Sequence, residues 1–331
     1  MSRWLPRIIG ILLMASALAL ALSQAPDRSV QSLVARWAPP PSEFIDLDGQ
    51  LVHLRDVGPR HDAEPLVLVH GTSASLHTWE GWVAGFSAQR RVITFDLPGF
   101  GLTGPFAGRY AQWSYRGDEL ARFTLELLDH LKVQRFAIGG NSLGGEVAWR
   151  VASLAPARVQ HLVLIDSSGY ELDPASVPIG FRLASLPGVN RLFEWLLPRG
   201  VIEASVRDVY GDPNKVTPQL IDRYFELTLR EGNRAALVQR LRAQAIDLRG
   251  VADNIARLHA LQVPTLVMWG RADRLIPVAF AQRFRADIAG SQLSVFEHLG
   301  HVPQEEDPAA TVSAVKAFLG GSLDPRTRAP Q

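Results

Sequence analysis

The residues whose types and spacing could do chemistry begin at Gly139-Gly140-Asn141-Ser142-Leu143-Gly144-Gly145, where Gly140, Ser142 and Gly144 form G-x-S-x-G. That spacing suits a sharp strand-to-helix turn that pushes a serine hydroxyl out of a sheet, because glycines two residues either side avoid Cβ clashes. The apolar Phe136-Ala137-Ile138 before it reads as a strand, and a helical pattern begins at Glu146. A serine hydroxyl is a weak nucleophile and needs a base that is itself oriented by a third group. His301, in Leu299-Gly300-His301-Val302-Pro303, and Asp273, in Trp269-Gly270-Arg271-Ala272-Asp273, each follow a strand-like run. Both are expected on loops at the carboxyl edge of the sheet, with Ser142 as nucleophile, His301 as base and Asp273 as acid. The nearest rival base, His298, is placed within the strand end. The rival acid, Asp166, is read as holding a turn through an Asx-type hydrogen bond.

Two further loops complete this expected site. His70-Gly71-Thr72 follows the run Leu66-Val67-Leu68-Val69, so the N–H of Thr72 can point inward. With the N–H of Leu143 it would form an oxyanion hole for a tetrahedral intermediate. His70 itself is read as part of the turn. Asp96-Leu97-Pro98-Gly99-Phe100-Gly101 reads as a tight structural loop in which Asp96 fixes backbone amides.

The elements that must position these loops alternate along the chain. Phe44 to Gly49 and Gln50 to Val57 flank an Asp-Gly turn, a hairpin signal. Short apolar runs recur at Leu66–Val69, Val92–Phe95, Phe136–Ile138, Leu162–Ile165, Thr265–Trp269 and Leu293–Phe296, as expected for strands buried on both faces. Between them, Tyr115 to Leu131 places Leu120, Phe123, Leu127, Leu128 and Leu131 on one helical face. Strands alternating with helices predict a mostly parallel central sheet with helices on both faces. From about Gly169 to Ile255 the strand runs stop and helical patterns take over, with Thr217-Pro218 as an N-cap and first helical residue. That stretch reads as a helical insertion over the sheet.

The chain has 331 residues, 47% hydrophobic and 20% charged, an ordinary globular load. A formal charge of +1 gives no footprint for nucleic acid, where a basic stripe is expected. The absence of cysteine excludes disulfides, thiolate zinc sites and a thiol nucleophile. No metal site or nucleotide loop is evident, and no cofactor is expected. Lys132, Lys215 and Lys316 are the only lysines; the many scattered arginines read as compositional bias. Arg3 and Arg7 precede an uncharged apolar run from Ile8 to Leu22, which resembles a secretory signal or an uncleaved anchor. Either places the remainder outside the cytoplasm, periplasmic or extracellular, released or held at a membrane. The expected organisation is therefore residues 1–23 as signal or anchor, 24–41 as a tether, 42–168 with 256–320 as the catalytic core, 169–255 as a helical cap, and 321–331 as a tail. A chain beginning near Ser42 keeps every site motif.

Taken together, H-G-T, D-L-P-G-F-G, G-N-S-L-G-G, G-R-A-D and G-H-V-P-Q-E-E-D-P resemble the α/β-hydrolase superfamily, over about Phe44 to Leu319. The chain is similar to the branch with a helical cap between the sixth and seventh strands, which contains small esterases, lipases and carbon–carbon bond hydrolases. The resemblance implies the same roles for Ser142, Asp273 and His301, with Thr72 and Leu143 as oxyanion donors. Glu306 and Pro308 match the structural part of its G-H-x-P-x-x-E-x-P pattern. Haloalkane dehalogenases and epoxide hydrolases of this fold use an aspartate nucleophile, whereas position 142 is serine. Carbon–carbon hydrolases usually carry a longer glycine-rich oxyanion loop and a tryptophan after the histidine; here stand Thr72-Ser73-Ala74 and Val302.

The expected function is a serine hydrolase cleaving a hydrophobic carboxylic ester through an acyl-enzyme. Its alternatives are a carbon–carbon hydrolase, a cofactor-free peroxidase-like member, and a non-catalytic ligand-binding protein of the same fold. The expected partner is a small hydrophobic ester: the insertion carries Phe181, Leu183, Leu186, Leu192, Phe193, Trp195, Leu196, Leu197, Tyr224, Phe225 and Leu227, most of them read as cap core and any remainder as the lining of an apolar pocket.

Overall fold

The computed structural model describes residue 4 and residues 7–14, 23–171 and 195–321. Eight strands form one sheet: β1 (Glu43–Leu47), β2 (Gln50–Val57), β3 (Leu66–Val69), β4 (Val92–Phe95), β5 (Phe136–Asn141), β6 (Val159–Ile165), β7 (Thr265–Gly270) and β8 (Gln292–Phe296). Their order is β1-β2-β4-β3-β5-β6-β7-β8. The hairpin strands β1 and β2 are antiparallel to their neighbours, and every other pairing is parallel. The Asp-Gly turn forms as expected, with Asp48 and Gly49 both at positive φ, 52° and 87°.

The central strands partition their side chains between two cores, which explains their near-continuous apolar sequence. Val67, Val69, Phe136, Ile138, Leu162, Leu164, Val267 and Trp269 face one core. Leu66, Leu68, Ala137, Val163, Ile165, Leu266 and Met268 face the other. The first core is covered by α3 (Gly117–His130), α4 (Leu143–Leu154) and α9 (Ala279–Asp287), through residues such as Phe123, Leu127, Trp149 and Phe284. The second is covered by α2 (Glu80–Phe86) and α11 (Pro308–Gly321), through Trp82, Phe86, Val315 and Phe318. Each such buried large side chain contributes about 1.5–3 kcal/mol, so the two faces together hold the sheet rigid beneath its loops.

Between β6 and β7 the described residues are helical: α5 (Arg199–Val209), α6 (Pro218–Thr228), α7 (Asn233–Arg249) and α8 (Val251–His259). Thr217 caps α6, its hydroxyl accepting from Leu220 N–H at 3.2 Å. The cap is bound to the core by buried charge. Arg240 donates to Glu146 at 2.8 Å, Asp247 at 3.2 Å and the Tyr115 carbonyl at 3.1 Å. Arg150 joins Glu146 to Asp118. Arginines that looked like compositional scatter thus hold α7 against α3 and α4. Phe181, Leu183, Leu186, Leu192 and Phe193 lie outside the described residues.

The segment expected to be a tether is instead ordered and strapped to the cap. Leu197 N–H donates to the Ser23 carbonyl and Ala25 N–H to that of Trp195, at 3.0 and 3.1 Å. Arg28 N–H donates to the Leu229 carbonyl at 2.7 Å. The helix α1 (Val30–Trp37) then buries Leu33 beside Leu227, while Arg36 and Trp37 bond Glu226 on α6. A chain beginning at Ser23 should therefore unfold at a temperature on the order of 5 °C higher than one beginning at Ser42, which loses Leu33 and these bonds. Matching thermal midpoints for the two chains would make the strap dispensable. Residues 7–14 are helical; among the described residues no helix is long and apolar enough to cross a membrane.

Candidate active site

At the carboxyl end of β5 the chain turns sharply into α4. Ser142 stands at the turn with φ 56° and ψ −117°, a strained conformation costing about 1–3 kcal/mol. Hydrogen bonds hold it: Ser142 N–H donates to the Ile165 carbonyl, while its own carbonyl accepts from Ser168 and Glu146. The glycines are steric requirements. A Cβ on Gly140 would lie 2.0 Å from the Gly144 carbonyl, and one on Gly144 would lie 2.0 Å from the Val69 carbonyl. The turn therefore packs backbone against backbone between β3 and β5.

The other expected residues converge here. His301 Nδ1 is 2.7 Å from Asp273 Oδ2, and Asp273 Oδ1 accepts from the N–H groups of Leu275 and Ile276 at 2.8 and 2.9 Å. Asn141 Nδ2 donates to the His301 carbonyl at 2.8 Å, tying the histidine loop to the residue beside Ser142. Ser142, Asp273 and His301 are all buried. With Nδ1 held by Asp273, the Nε2 end of the ring is the one left to take a proton. Gly71 abuts the serine: a Cβ there would meet Ser142 Cβ at 3.2 Å, and the expected donor Thr72 is the next residue along the chain. Leu143 is the first residue of α4, where an N–H has no partner inside the helix and the dipole favours negative charge.

The neighbouring polar residues have structural work. His70 lies between the Leu97 N–H, which donates to its Nε2, and the Gly71 carbonyl, near its Nδ1. Burial lowers its pKa, keeping the ring neutral. Asp96 accepts from the amides of Leu76 and Leu102, both at 2.7 Å, as expected of a loop-fixing residue. Glu306 accepts from Gly300 N–H at 2.6 Å and from the cap amides of Gly211 and Asp212. His301 N–H donates to Val209 at the end of α5. The cap thus contacts the histidine loop directly, a pairing across 92 residues that carries no local sequence signal. Asn141 was legible only as part of a motif; its role as a tie is visible in the fold.

Two local expectations change. His298 is not within a strand; β8 ends at Phe296, and His298 lies exposed in the following turn. Asp166 makes no local Asx turn. It is fully buried at positive φ, 43°, and accepts from Gly270 N–H across to β7 at 3.0 Å.

A strained serine elbow beside a histidine–aspartate pair, on a mostly parallel sheet with a helical cap, defines a hydrolase architecture. Residues 64–308 match the α/β-hydrolase fold family, and the chain belongs to it. It is 31% identical to 2-hydroxymuconate semialdehyde hydrolase of Pseudomonas sp. (strain CF600), over 77% of this chain and 86% of that protein. It is also 31% identical to the dihydrolipoyllysine-residue acetyltransferase component of an acetoin cleaving system of Pseudomonas putida, over 85% and 70%. Among solved structures, a meta-cleavage product hydrolase from Pseudomonas fluorescens IP01 superposes with a TM-score of 0.70 at 24% identity, over 85% of this chain and 98% of that one.

Proposed function

We propose that this chain is a serine hydrolase that attacks a carbonyl carbon and passes the acyl group to water. The observation that carries the reading is the strained Ser142 elbow set beside the His301–Asp273 pair. Ser142 Oγ adds to the carbonyl while His301 Nε2 takes its proton. The amides of Thr72 and Leu143 receive the developing oxyanion. As the intermediate collapses, His301 returns the proton to the departing group, and water then releases the acid by the same route in reverse. Asp273 keeps the imidazole in the required tautomer and balances its positive charge.

Relatives named for 2-hydroxymuconate semialdehyde and 2-hydroxy-6-oxo-2,4-heptadienoate favour an aldehyde or ketone carbonyl whose leaving group departs as a stabilised carbon anion, ahead of the ester expected from sequence. Ester cleavage is the second reading. It is favoured by Val302, buried among Val206, Tyr210, Val216 and Ile221 where a tryptophan usually follows the histidine of carbon–carbon hydrolases. A 2-hydroxy-6-oxo-dienoate assayed beside p-nitrophenyl esters of increasing acyl length separates the two. A higher kcat/KM on the dienoate supports the first, and turnover of esters alone supports the second. No turnover of either, with no fluorophosphonate labelling of Ser142, would leave a ligand-binding protein and overturn both.

The apolar run from Ile8 to Leu22 supports export, with the catalytic domain released or held at the membrane. N-terminal sequencing of the mature protein tests this: a start near Leu22 or Gln24 means cleavage, and an intact terminus in the membrane fraction means anchoring. Intact Met1 on a cytoplasmic protein would overturn the assignment.

A further inference from the structure

Behind the acid of the site lies a second carboxyl group that the mechanism above does not use. Asp166, at the end of β6, is 0% exposed and has a side-chain oxygen within 4.8 Å of one on Asp273. Asp166, Asp273 and His301 each contribute a side-chain oxygen or nitrogen to a cluster whose atoms all lie within 4.8 Å of one another. Two buried carboxylates so close cannot both carry full charge. Their hydrogen bonds decide which one yields. Asp273 has Leu275 N–H, Ile276 N–H and the His301 imidazole around its two oxygens, whereas among the described residues Asp166 accepts from Gly270 N–H alone. Asp166 Oδ2 is buried, and among the described residues no donor reaches it. An acceptor left bare in the interior is destabilising, and a proton on that oxygen removes the deficit by making it a donor.

We propose that Asp166 is a neutral carboxylic acid whose Oδ2 hydroxyl donates to Asp273, a positioning residue that fixes the Asp273 carboxylate and keeps the buried pair at one negative charge. This rests on the serine-hydrolase reading of the site. Among the described residues, three charged or titratable groups face Asp166: Asp273 on the loop after β7, Glu306 on α10 (Pro303–Glu306), and His301 on the loop after β8. Burial raises its pKa well above the carboxylate range, and the negative charges of Asp273 and Glu306 act in the same direction.

Asp166→Asn and Asp166→Ala test the proposal. In the asparagine variant the amide oxygen keeps the Gly270 bond and the NH2 group replaces the hydroxyl toward Asp273. Asp166→Ala should lose roughly 10²-fold in kcat through a misplaced acid, and Asp166→Asn should recover most of it. A structural role alone would not set the pH dependence of stability. In the unfolded chain Asp166 ionises near 3.9, whereas the folded group stays protonated, so wild-type stability from this group is lost as pH rises above about 4. The asparagine variant has no such loss. Its unfolding equilibrium should improve on wild type by about tenfold per pH unit until the folded group itself ionises.

Three results would overturn the proposal: a stability difference that does not move with pH, an asparagine variant no better than alanine, or carboxyl 13C spectra of aspartate-labelled wild type showing no protonated aspartate at pH 7. The last measurement needs no variant to fold. Fluorophosphonate labelling of Ser142 reports separately on the hydrolase reading, so the two can fail independently.

Discussion

Ser142→Ala is expected to lower kcat by roughly 10⁶, the scale of nucleophile removal in serine hydrolases, with little change in thermal midpoint. Alanine removes only the hydroxyl, and the elbow is held by backbone bonds to Ile165, Ser168 and Glu146 that do not involve it. His301→Ala should be comparably severe, because its imidazole is the group assigned to take the Ser142 proton. His298→Ala should be mild, since that residue is exposed in the turn after β8. Steady-state kinetics on the substrate found active in the panel would check all three. Wild-type-like turnover by purified Ser142→Ala would remove the nucleophile assignment, and a reversed order of the two histidines would move the base to His298.

Asp273→Asn is the second large effect, a loss of roughly 10⁴ in kcat in a protein that remains folded. The direction follows from donors already in place. Leu275 and Ile276 N–H groups fix one side-chain oxygen, so an asparagine keeps its carbonyl there and turns its NH2 toward His301 Nδ1. That presents a donor to a nitrogen that must itself donate, forcing the proton onto Nε2, where it blocks uptake from Ser142. The same substitution at Asp166 turns an NH2 toward a carboxylate that accepts it. Opposite outcomes for one chemical change at two neighbouring carboxyls are therefore expected. Full activity in Asp273→Asn with a crippling effect in a well-folded Asp166→Asn would exchange the two roles.

By itself the sequence determined what depends on local spacing. Runs such as Leu66–Val69 and Val92–Phe95 are strands at the bounds read from their composition, because four apolar residues with turn residues on each side have few other stable placements. The elbow was legible because its glycines answer a local clash, and its position after a strand is local too. The order of serine, acid and histidine loops along the chain was enough to place all three at one sheet edge.

Tertiary structure decided everything that rests on pairing between distant residues. Which core each strand side chain enters, Leu68 or Val69, depends on which helix covers that face. The buried bonds of Arg240 and Arg150 required α7 to lie against α3 and α4; in sequence those arginines are indistinguishable from exposed ones. Ser23 to Pro41 looked like a tether because it is polar at first and closes in prolines, yet backbone groups of Ser23, Ala25 and Arg28 find partners at Leu197, Trp195 and Leu229. Asp166 shows the same limit most sharply. A strand-end aspartate suggests a local turn, but its environment comes from Gly270 and Asp273, over a hundred residues away. A carboxyl group's charge is set by the donors and charges that the fold brings around it, and spacing along the chain does not encode them.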